Sequence, residues 1–316
     1  MKRLVRMSLL LVSGLSLAPD ALACASCGCT LNTDLGSQGM VSGSGWHVDL
    51  RYDLVDQTQS RSSDQAVGLA VPNSEEVEQR TRNGYYTLGI DYGFNRRWSV
   101  GLQLPWLDRY HTTYAEADTA LSSSDSNSLS DARVLARYTG LSPDMSTGLL
   151  FGLKLPTGTQ DVDFSAGPAT GEALDRSLQP GSGTTDLMLG AYHFDNFNAR
   201  FGWFAQVMYQ HALAAHDGYR PGDSFNVNAG LQYYLNDSLT PQLQVNAQLR
   251  GHDTDDDLVG QDNSGGRLLY ISPGVTFNLG EGWHGHAFVQ FPLYQYVYGV
   301  QLTPTRIFSI GASYNF

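Results

Sequence analysis

The chain has 316 residues, with 31 acidic against 19 basic side chains, and its formal net charge of −12 argues against nucleic acid as a partner. Hydrophobic residues make up 41% and mean hydropathy is −0.25, so beyond the amino end no stretch is apolar enough for a transmembrane helix. A membrane protein of that average must cross on half-apolar strands, and 34 glycines, 17 tyrosines and 13 phenylalanines supply the turns and aromatic girdles such strands need.

At the amino end, Lys2, Arg3 and Arg6 precede an apolar run at 7–18 too short to span a bilayer, and Ala21-Leu22-Ala23 is a small-x-small cleavage site. The sequence therefore predicts a signal peptide over 1–23 and a mature chain starting at Cys24. Residues 24–44 read as a periplasmic, cysteine-bearing segment, followed by a barrel over 45–316. Cys24, Cys27 and Cys29 are the chain's only cysteines. Three readings stay open for them: an oxidised pair with one thiol left over, a Cu(I) or Zn(II) site, or lipidation at Cys24. The histidine that follows Cys-x-x-Cys in a haem attachment site is missing, which excludes covalent haem.

From residue 45 onward, apolar residues fall at alternate positions. The first strand puts Trp46, Val48, Leu50, Tyr52 and Leu54 outward and His47, Asp49, Arg51 and Asp53 inward. Tyr86, Leu88, Ile90, Tyr92 and Phe94 form the lipid face of the second, and Trp98, Val100, Leu102, Leu104 and Trp106 that of the third. Further strands are predicted near 129–138, 146–157, 185–194, 199–211, 224–235, 239–252, 267–278, 283–298 and 306–316. Short connections alternate with long ones, the long ones at 57–80, 115–128, 159–184, 212–223 and 253–266. That alternation defines an all-β, transmembrane, antiparallel up-and-down barrel of about 12 strands. The last strand ends on Phe316, a terminal aromatic that looks like the tag read by the bacterial barrel-assembly machinery.

The stretch Tyr92-Gly93-Phe94-Asn95-Arg96-Arg97-Trp98-Ser99-Val100-Gly101-Leu102, continuing to Leu104-Pro105, resembles a hairpin of a family of outer-membrane barrels associated with the meta-cleavage pathway of phenol degradation. Gly152-Leu153-Lys154-Leu155-Pro156-Thr157-Gly158 and Gln179-Pro180-Gly181-Ser182-Gly183-Thr184-Thr185-Asp186 are similar to it as well. The resemblance covers about the middle half of the barrel. It implies a substrate-uptake barrel for aromatic or other small hydrophobic compounds, and the cysteine-rich start departs from the family pattern.

Inward positions are rich in amides, with Asn226, Asn228 and Gln232 on one strand and Gln242, Gln244, Asn246, Gln248 and Arg250 on the next. Charged lumen candidates are Asp49, Arg51, Asp131, Arg133, Arg137, Lys154, Asp186 and Arg200. Such side chains either bond one another into a rigid network or constrict a solute path. His284 and His286 share a face, and the acidic run from His252 to Asp257 reads as a solvated outer loop. No Gly-x-Ser-x-Gly elbow occurs, and the chain reads as no enzyme. The expected function is a channel or transporter in the Gram-negative outer membrane, passing small solutes, aromatic or hydrophobic ones among them, by passive or facilitated diffusion. Its expected partners are outer-membrane lipid, the assembly machinery and the solute, and no motif implies a cofactor beyond Cu or Zn at the cysteines. The alternative is a barrel-anchored periplasmic metal-binding or redox-partner protein that works through the Cys-x-x-Cys-x-Cys segment.

Overall fold

The computed structural model describes residues 31–40, 44–68, 76–115, 118–254 and 263–316. The predicted signal peptide, Cys24, Cys27, Cys29 and the acidic residues at 255–257 lie outside the described residues. Among the described residues there are thirteen strands: β1 Gly45–Ser63, β2 Gln65–Ala66, β3 Val77–Gly93, β4 Trp98–Tyr114, β5 Leu121–Leu129, β6 Arg133–Tyr138, β7 Thr147–Lys154, β8 Asp186–Asn198, β9 Phe201–Ala212, β10 Ser224–Tyr233, β11 Leu239–Arg250, β12 Gly266–Gly280 and β13 Trp283–Asn315. All belong to one antiparallel sheet in which successive strands pair, except that β1 pairs with β3 past β2 and β4 with β6 past β5, and β13 returns to pair with β1. The sheet is therefore a closed barrel, and no backbone edge is left to hydrocarbon.

Eleven of these strands form the ring, with β2 and β5 outside the closed path. β13 is 33 residues long and turns back at Gly299, where φ is 65°. Its first half pairs with β12, ending at Gly266↔Val297, and its second half pairs with β1, from Ser62↔Val300 to His47↔Asn315. The strand fills two places, so the ring has twelve staves, as the periodicity predicts.

The local reasons for the hairpins are visible at one end of the barrel. Asn95, Asn198, Asn236 and Asn278 each open a short turn and accept a hydrogen bond through Oδ1 from the backbone N–H two residues on, at 2.8–3.1 Å. This side-chain turn replaces the ladder bonds lost where the chain reverses. Aromatic pairs gather at the same end: Trp46 on Tyr92, Trp98 on Tyr138, Phe201 on Tyr233 and Trp283 on Tyr314, with ring centroids 4.8–5.0 Å apart. They form the girdle expected at a bilayer surface. In bacterial barrels the short-turn end faces the periplasm.

The long-loop end differs from the sequence reading. A bilayer crossing needs about 10 residues of strand, yet β1 has 19 and β3 and β4 have 17 each. Much of 57–80 and 115–128, expected as loops, is strand, and 299–305, left unassigned between two predicted strands, is strand throughout. β5 pairs with the upper half of β4, and β6 pairs with its lower half. β13, β1, β3, β4 and β5 thus build a wall that rises past the membrane on one side.

Leu102 faces outward while its neighbour Gln103 lines the interior. Leu102→Arg is expected to cost about 2–4 kcal/mol if the residue sits near the bilayer midplane, and Gln103→Arg far less. Urea unfolding in lipid vesicles measures both, and equal losses would contradict the register.

Candidate functional site

The inward-facing side chains surround a cavity of about 770 Å³. It runs from Trp46, Arg97 and Phe316 at the short-turn end to Arg176 and Tyr219 in the long loops. Of the predicted lumen residues, Arg51, Asp131, Arg133, Arg137, Lys154, Asn226, Asn228 and Arg250 line it. Asp186, Gln244 and Asn246 are buried just behind this surface, in the networks that hold the wall. Arg200 is not in the lumen: it lies exposed in the turn after β8, where its backbone N–H bonds Asn198.

The amides satisfy one another. Asn246 donates to Asn228 at 2.7 Å and accepts from Ser272 at 2.6 Å and from Gln290 at 3.2 Å, while Gln242 donates to Thr276 at 2.8 Å. A ladder of this kind stiffens the β10–β13 side of the wall, because each amide broken open would strand its neighbours without water. On the opposite side, Lys154 stands between Asp131 at 3.2 Å and Asp186 at 2.9 Å. Asp131 also accepts from the backbone N–H of Gly158 and of Ser182, so this charged knot ties both ends of the 158–184 loop to the barrel. Gly158 and Gly181 cross so closely that a Cβ on Gly158 would lie 2.6 Å from the Gly181 Cα. The loop then folds inward on its own small core of Phe164, Ala169, Leu174 and Leu178. Arg109 donates to the Leu178 carbonyl and to Asn83, holding within the upper lumen a loop that the sequence reading left outside.

Residues 24–44 were expected in the periplasm, ahead of the barrel, but their described part at 31–40 lies inside the ring. Leu31, Asn32, Leu35, Ser37 and Gln38 are buried. Gln232 donates to the Gln38 carbonyl at 3.2 Å, Gln242 to Gln38 Oε1 at 3.1 Å and Gln244 to the Asn32 carbonyl at 3.0 Å. Arg137 pairs with Asp34, and Arg51 donates to Thr33 at 2.6 Å. Gly39, at φ 74°, meets the Phe194 ring so closely that a Cβ would lie 2.4 Å from it. The predicted lumen residues Arg51, Arg137 and Gln244 are therefore partners of this inner segment. The segment itself carries no period-two signal, and only its amides and Asp34 hint at a polar surrounding.

Sequence reasoning also missed a cluster at the lower rim. His47, Asp49 and Asp91 offer ligand atoms that all lie within 4.8 Å of one another, a donor set suited to a divalent cation. His47 and Asp91 face each other across β1 and β3, a neighbourhood that follows from the register. Of the histidine pair, His286 lines the cavity and His284 bonds the Gly282 carbonyl. In the loop after β9, partial burial pushes the Asp223 carboxyl up, but bonds from Tyr209 and His211 outweigh it and hold the group below the usual carboxylate range.

A closed antiparallel ring with an apolar outer face, aromatic girdle and polar lumen is an outer-membrane barrel of the Gram-negative type. The chain belongs to the family described as "Putative MetA-pathway of phenol degradation", whose model matches residues 81–303. Its fold is that of the COG4313 outer membrane channel from Pseudomonas putida F1, with a TM-score of 0.64 at 12% identity over 90% of this chain and 99% of that one. Weaker likenesses include the CymD monoaromatic hydrocarbon channel (TM-score 0.48, 12% identity, 93% of this chain and 94% of that one) and the toluene transporter TbuX of Ralstonia pickettii (TM-score 0.45, 13% identity, 87% and 90%). Among curated proteins, none is significantly similar in sequence.

Because segment 31–40 fills part of the lumen cross-section, removing those ten residues is expected to raise single-channel conductance several-fold in planar bilayers. An unchanged conductance in the folded deletion variant would contradict that placement.

Proposed function

We propose that this barrel is a channel that lets small aromatic or hydrophobic solutes cross the outer membrane by passive or facilitated diffusion. The observation that carries the reading is the cavity itself, which reaches from the short-turn rim to the long loops inside a single ring. Its wall mixes apolar side chains such as Leu107, Leu150, Met188 and Met208 with amides and charges, a lining that accepts a ring while bonding a polar substituent. Family membership supports an aromatic cargo. Passage needs no covalent step, so no residue is given a catalytic role. Copper or zinc at Cys24, Cys27 and Cys29 remains a separate proposal, with no observation among the described residues in its favour.

The test is uptake of a labelled one-ring aromatic at limiting concentration by Gram-negative cells with or without the protein. Lipopolysaccharide slows such solutes, so cells that make the barrel should take up the label several-fold faster. Equal rates, with the barrel folded in the outer membrane, would contradict the proposal.

A further inference from the structure

The charge of the cavity wall is opposite to that of the chain. Of the 19 Lys and Arg residues, nine line the cavity, against five of the 31 Asp and Glu. An acidic protein has thus gathered its cations inward. Several of these are neutralised by partners: Arg51 by Asp53 at 2.7 Å, Arg137 by Asp34, Lys154 by Asp131 and Asp186, and Arg250 by Asp253 at 2.8 Å.

Arg133 is different. It sits inside the ring between Gln103 on β4 and Lys154 on β7, and its side chain makes no hydrogen bond or ion pair with any described residue. Its Nε is enclosed without a partner. A guanidinium cannot shed its proton, so a confined one with no bound counter-charge favours an anion, and its planar fork matches a carboxylate. Lys154 next to it is already held by two carboxylates, which leaves Arg133 as the free end of the cationic row.

Two residues along β6, about 7 Å away, the wall turns apolar. Leu135 and Met188 flank Gly152 in the register, and Leu150 and Met208 flank Gly190. Leu135 and Met208 spread over these glycines, so the four side chains form a low apolar shelf beside the guanidinium. The spacing fits a single ring lying on the shelf with its carboxylate on Arg133.

We propose that the lumen selects small aromatic carboxylates and that Arg133 is the group that binds their carboxylate. This inference rests on the channel reading above and names its solute class. The positive wall raises the local concentration of anions, and Arg133 gives them a single bidentate stop within the path.

The experiment is a bi-ionic reversal-potential measurement on the full mature protein in planar bilayers, with potassium benzoate on one side and potassium chloride on the other, together with the benzoate-to-potassium permeability ratio. The wild type should favour benzoate over potassium by about fivefold or more, Arg133→Gln should bring the ratio towards one, and Arg133→Lys should retain most of it. Arg267→Gln, which removes an exposed charge outside the cavity, should leave the ratio alone. Heat-modifiable mobility on gels reports whether each variant is folded, and Arg133→Lys keeps the test decisive if Arg133→Gln is not. A pore that conducts potassium and chloride without favouring benzoate, or a preference that survives Arg133→Gln, overturns this inference and leaves the channel standing. No conductance above protein-free membranes, together with no gain in cellular uptake, overturns both.

Discussion

β1 hydrogen-bonds to the second half of β13 along nearly its whole length, from His47↔Asn315 up to Ser62↔Val300. Without that seam, two rows of backbone N–H and C=O groups would face hydrocarbon, at several kcal/mol for each group left unpaired. The seam is completed at its foot, where the Phe316 N–H donates to the Trp46 carbonyl at 2.9 Å. Closure therefore uses the chain to its last residue, which gives the terminal aromatic a structural place whatever else reads it.

Closing the ring fixes what the interior must be. Every second side chain of twelve staves is turned into a narrow space, and polar groups there need partners within reach. The chain meets this need in three ways: amides bond amides on β10 to β13, Lys154 gathers Asp131 and Asp186, and segment 31–40 offers its own backbone carbonyls to Gln232 and Gln244. The third also narrows the path, so the groups that satisfy the wall shape the passage as well. The open cavity and the unpaired Arg133 guanidinium beside it are where a solute can act.

The barrel was legible because lipid imposes a strict period of two. Leu50 and Ile310 are exposed on the outer face while Asp49, Arg51 and Ser309 turn inward, the reverse of a soluble sheet, whose apolar face is the buried one. Legibility stops where lipid stops. β5 has the sequence LSSSDSNSL, which offers no apolar face because its strand lies above the bilayer, and it read as a loop. The inward course of 158–184 depends on Asp131 meeting Gly158 and Ser182, contacts between residues far apart in sequence that no local pattern announces. Segment 31–40 failed for the same reason: its amides bond to strands some 200 positions away. Which inward side chains pair and which do not, the distinction that separates Arg137, held by Asp34, from Arg133, required the folded ring.

The claim on which the rest depends is that the ring is closed around its own amino-terminal segment. The direct measurement is site-specific cross-linking in native outer membranes, with Cys24, Cys27 and Cys29 replaced by serine and new cysteines placed by Gln38→Cys and Gln242→Cys, whose native side chains bond at 3.1 Å. A short bifunctional thiol reagent should join the two in folded, heat-modifiable protein and shift its mobility on gels after denaturation. Folded barrels that give no cross-link, while Gln38→Cys reacts freely with a bulky reagent confined to the periplasm, would contradict the account.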